Sequence, residues 1–106
     1  MLMVILGVVA AALAVGTLVY LAKQLTFSVL KKYKTKKNSK VLAATVKDLL
    51  KQAPTMKLDG LGDNDVILAE YDEDEDELAQ DISIANDVDD RVRGILDTNR
   101  GIVVFD

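Results

Sequence analysis

The chain of 106 residues has no histidine and no cysteine. That removes the common zinc sites, thiol nucleophiles, haem ligation and the Ser-His-Asp triad together. Tryptophan is absent, and Pro54 is the single proline. No glycines are spaced as a phosphate-binding loop of the Walker or dinucleotide type. Carboxylates are abundant, but the densest of them stand in one run, and such a run is ordinarily solvated rather than catalytic. This inventory predicts a protein that is not an enzyme, with no small-molecule substrate and no organic cofactor.

Charge is missing altogether from residues 2 to 22, LMVILGVVAAALAVGTLVYLA, a run of 21 residues. As one helix it would be about 31 Å long, against a bilayer hydrocarbon core of about 30 Å. The remaining chain looks too small and too acidic to wrap a helix that is apolar on every side. The run therefore predicts a single N-terminal transmembrane α-helix. Ala12-Leu13-Ala14 has the form of a signal-peptidase site. No Lys or Arg precedes the run, however, and it is long for a signal peptide, so an uncleaved anchor is expected. Gly7 and Ala11, and Ala12 and Gly16, are spaced as small-xxx-small pairs, which let helices approach closely in lipid and predict a homo-oligomer.

The next stretch is lopsided in the other sense. LKKYKTKKNSK, residues 30 to 40, has six lysines and no acid in a chain that is acidic overall. Lys23, Lys31, Lys32, Lys34, Lys36 and Lys37 come after the apolar run, and no side-chain cation comes before it. Lysines near a span stay on the cytoplasmic side, which places the C-terminal part there. They also meet anionic headgroups at about 1 kcal/mol each, and Tyr33 among them suits the membrane interface. The expected division is residues 1–30 as span and interfacial extension, 31–40 as a basic juxtamembrane linker, and 41–106 as an acidic α+β domain.

Within 41–106 a helix is expected from an N-cap at Ser39 to Pro54, with Leu42, Val46, Leu49 and Ala53 on one stripe. LDGLGDND reads as a loop, Asp65 to Tyr71 as a strand, and the six acids Asp72 to Glu77 as a solvated loop. LAQDISIA fits helix and strand alike. A helix capped by Asn86 or Asp87 comes next, with Val88, Val92, Ile95 and Leu96 on its stripe, then Gly101 as a left-handed cap and a strand from Ile102 to Phe105. This part has six cations against 17 acids, a net charge of −11. Such a unit does not bind nucleic acid by neutralising phosphates. Its core is marginal for its size, which favours a partner protein or further copies of itself.

Calcium is the one metal the pattern raises. Asp59 and Glu70 fall at the first and twelfth places of an EF-hand-length loop, but Leu61 and Asn64 occupy its third and sixth, so the match fails. A looser oxygen site would draw on Asp59, Asp63 and Asp65, or on Asp72 and Asp74. The expected role is a structural or assembly subunit that links a bilayer to a partner protein. A virus particle with an internal membrane is one setting for it. A holin-like pore and a calcium-responsive membrane adaptor are the alternatives.

Overall fold

A computed structural model describes residues 2–16 and 18–106. The apolar run does not form one helix. Helix α1 covers Leu2–Val15, 14 residues, and is about 21 Å long. Gly16 then takes a positive φ of 85°, a left-handed conformation that costs glycine least, and turns the chain back. Strand β1, Leu18–Tyr20, comes next, at the sheet edge. Among the described residues no helix is long and apolar enough to cross a membrane. The expected transmembrane helix is corrected on that ground.

The reason lies in the sheet. Strands β2 (Ser39–Thr45), β3 (Val66–Asp72), β4 (Glu77–Leu78), β5 (Ile82–Ala85) and β6 (Ile102–Phe105) join β1. Among the described residues they make one six-stranded sheet in the order β1-β5-β3-β2-β6, with β4 added to the end of β3. Only β1 and β5 run parallel; the other pairs are antiparallel. Alternate residues of β2, β3 and β5 supply each face. Leu42, Ala44, Ile67, Ala69, Tyr71, Ile82 and Ile84 pack on one side against Ile5, Leu6, Val9 and Leu13 of α1 and Val46 and Leu49 of α3 (Val46–Gln52). Val41, Ala43, Leu68 and Ala85 pack on the other against Leu30 of α2 (Phe27–Lys32) and Val92 and Leu96 of α4 (Asp90–Thr98). Helices thus cover both faces of a small mixed α+β fold. None of the acids expected to forbid this lies in the cluster that packs under α1.

Residues 39 to 45 form a strand, not the first half of a helix. Leu42 and Val46 suit a helical stripe, but β3 pairs with this segment from Ser39 opposite Asp72 to Thr45 opposite Val66, and β6 pairs with its other side. A strand flanked on both edges and buried on both faces reads as a continuous apolar run. The helix is limited to Val46–Gln52, capped by the Thr45 hydroxyl, which accepts from the Asp48 N–H at 3.3 Å. The start of α4 also shifts, from Asn86 or Asp87 to Asp89, whose carboxylate accepts from the Val92 N–H at 2.9 Å. Residues 87 to 89 stay extended because their backbone bonds to Leu25. The strand expected at 65–71 is found at 66–72, so Asp72, expected in a solvated loop, is buried at its end. Val92, Ile95 and Leu96 keep the stripe of α4, while Val88 lies before the helix. The turn at Gly101 (φ 85°) and the last strand agree with the sequence reading.

Candidate functional site

The lysine-rich stretch is tied to the sheet through an acid that sequence reasoning passes over. Glu70 lies in the middle of β3, shares a face with Val66 and Leu68, and is fully buried. One carboxylate oxygen accepts from the N–H groups of Thr35 (2.8 Å) and Lys36 (2.9 Å) and from the Ser39 hydroxyl. The other accepts from the Thr35 hydroxyl and the Gln80 amide, each at 2.8 Å. Burial by itself would raise this carboxyl. The hydrogen bonds from Ser39, the Lys36 backbone, Thr35 and Gln80 together outweigh it and hold the group at about 2. TKKNS is therefore a loop folded over a carboxylate. A signal was present: Glu70 is an acid flanked on both sides by apolar residues of one strand.

Tyr33 is corrected as a membrane-interface residue, because the sheet encloses it. Its hydroxyl lies 3.0 Å from Ser83 Oγ and 3.1 Å from the Asp81 carbonyl, and burial pushes the phenol up. Lys36 bonds the buried Asp72 at 2.9 Å, and Lys40 pairs with Glu73 and Asp106. Among the described residues, Lys23, Lys31, Lys32, Lys34 and Lys37 have no carboxylate within bridging distance, and all but the half-buried Lys34 are exposed. Lys31 and Arg91 instead flank the Phe27 ring, at 5.5 and 4.0 Å from its centre.

The carboxylates considered for calcium are dispersed. Asp65 accepts from the Gly62 N–H at 2.9 Å, Asp72 is held by Lys36 and by the amides of Asp74 and Glu75, and Asp74 accepts from Asn38. Asp59 and Asp63 stand exposed in turns. Among the described residues no three acids are grouped so as to hold a metal ion.

The small residues divide. Gly7 and Ala11 face outward from α1, Ala12 leans on the core, and Gly16 lies beyond the helix end. Around Gly7 and Ala11 the outer face of α1 is wholly apolar: Met3 is 74% and Val15 80% exposed, with Val4 beside them. Val19 and Tyr20 of the edge strand β1 are exposed as well. These five are the exposed large hydrophobic residues among the described residues, and all fall within the first 20 positions. The exposed apolar side chains of the described residues thus lie on the outer face of α1 and along the edge strand β1. Comparison with protein-family models, curated proteins and solved structures finds no match.

Proposed function

We propose that this protein is a non-enzymatic structural or assembly subunit that associates with a bilayer through its N-terminal segment and holds a partner protein through its acidic part. The observation that carries the reading is the exposure of Met3, Val4 and Val15 on the uncharged outer face of α1. Exposed apolar surface of this kind, when contiguous, marks sites of contact with lipid or protein. Lipid is favoured because α1 offers no hydrogen-bonding side chain to give a protein partner register.

The seating that best fits the packing is interfacial. If α1 left the sheet to span the bilayer, Ile5, Leu6, Val9 and Leu13 would exchange one apolar setting for another, with little gain. The sheet face beneath them would meet water, at about 1.5–3 kcal/mol for each large side chain uncovered. A layer of lipid against the outer face of α1 requires no such exposure.

Flotation of the full chain with vesicles tests this reading. Wild type is expected to float with vesicles containing phosphatidylserine, and Met3→Glu with Val15→Glu to remain in the dense fraction while still folded. Extraction at alkaline pH separates the two seatings: an interfacial protein is released, and a spanning one is retained. Failure of the wild type to float on any vesicle would overturn the membrane assignment.

A further inference from the structure

The part of the chain from residue 41 onward has only six cations, Lys47, Lys51, Lys57, Arg91, Arg93 and Arg100, among 17 acids. Four of those six line one open cleft of about 540 Å³: Lys47 and Lys51 from α3, Arg93 from α4, and Arg100 from the turn after it. Thr45, Asn64 and Gly101 complete the polar lining, with Asp48 and Asp97 as its acids. Asp48 is already engaged, bonded by the Thr45 hydroxyl and 3.7 Å from Lys51. Among the described residues, Lys47, Arg93 and Arg100 have no carboxylate within 4.0 Å.

In a part of the chain with 17 acids and six cations, four cations here face two acids around a space large enough for a small ligand. Arginine presents a planar fork of donors that matches phosphate oxygens two at a time, and two arginines with two lysines suit a ligand of more than one negative charge. Arg100 holds a left-handed backbone (φ 60°) immediately before Gly101 (φ 85°), an uncommon conformation for a residue with a side chain. Asparagine or glycine would adopt it more readily, so the guanidinium is kept against backbone preference.

We propose that this cleft binds a phosphate-bearing polyanion, with Arg93 and Arg100 as the principal ligands and Lys47 and Lys51 as supporting charges. The site is separate from the apolar surface of α1 and β1, and it stands whether or not that surface meets a membrane.

Titration calorimetry of the full chain with pyrophosphate tests it, with sodium chloride of matched ionic strength as the control for screening. Saturable binding of pyrophosphate beyond the chloride response is expected. Arg93→Gln with Arg100→Gly should weaken it at least about tenfold, which is about 1.4 kcal/mol. Glycine accepts the left-handed turn, so this variant keeps its fold, which circular dichroism checks. Lys57→Gln, outside the cleft, should bind within about twofold of wild type, since one distant surface charge is largely screened. A second arm uses vesicles containing phosphatidic acid. Binding there that depends on Arg93 and Arg100, with none to free pyrophosphate, identifies a lipid headgroup as the source of the phosphate. No binding to either probe, or equal binding by the double variant, overturns the proposal.

Discussion

Replacing Glu70 by glutamine probes the contact that fixes the lysine-rich loop to the sheet. The carboxylate takes three donors on one oxygen and two on the other, from Thr35, Lys36, Ser39 and Gln80. A carboxyl that ordinarily ionises near 4.5 is held at about 2, which corresponds to about 3 kcal/mol at neutral pH. Thr35 and Lys36, which cover it, are themselves exposed, so solvent screening leaves about 2 kcal/mol of that. Glutamine also sets an NH₂ group against the Gln80 amide nitrogen, which is held in place by the Tyr33 carbonyl at 2.7 Å. One donor then loses its acceptor, at about 1–2 kcal/mol. The total, about 3 kcal/mol, should lower the melting temperature by about 10 °C or more.

The sign with pH comes from the depressed value. The carboxylate's contribution is complete above 4.5 and is lost as pH falls towards about 2. Urea unfolding of wild type and Glu70→Gln at a series of pH values from 7 to 2 should therefore show a gap that is widest at neutral pH and narrows below 4.5. A variant as stable as wild type at pH 7 would refute the buried-carboxylate account. So would a gap that does not change with pH.

Three further outcomes are expected. Tyr33→Phe removes a hydroxyl that lies near Ser83, Asp81 and Leu68, and should cost about 1 kcal/mol in denaturant unfolding. Because burial raises this phenol above 10.0, its neutral form supports the fold. That support is complete below pH 10.0 and lost above it, and the loss should be missing in Tyr33→Phe. Gly101→Ala should destabilise by more than about 2 kcal/mol, because a Cβ there would lie 1.9 Å from the Asp48 carboxylate and φ is positive. Gly16→Ala, with the same φ but open space around it, should cost only about 1 kcal/mol, so equal melting temperatures for the two would contradict the close approach at Gly101. Asp89→Ala removes the cap of α4 and should cost about 1 kcal/mol, measured by thermal unfolding; no change would mean that the start of α4 is misplaced.

The local features were legible because they depend on neighbours in the chain. The apolar stripe of α4, a strand within a residue of 65–71, the turn at Gly101 and the exposure of Glu73 to Glu77 result from spacing and side-chain type alone, whereas Asp72, expected with those acids, is buried at the end of β3. Two segments mislead for one reason. Leu2 to Ala22 suits a helix by its length and apolarity and Ser39 to Ala53 by its stripe, and neither signal reveals whether a sheet edge is waiting to pair with the segment. Glu70 stands out in the sequence as an acid inside an apolar strand, but nothing near it in the chain shows that Thr35, Lys36, Ser39 and Gln80 will hold it.

Composition alone establishes an acidic protein lacking histidine and thiol chemistry, with its apolar mass at the N-terminus and its lysines next to it. Only tertiary structure decided that α1 and β1 divide that apolar mass, because β5 offers an open edge to one part and the sheet an apolar face to the other. It also decided that the TKKNS loop closes over Glu70, and that four scattered cations meet in one cleft. These contacts join residues far apart in the chain, and no short-range pattern encodes which distant partner a backbone or a carboxylate will find.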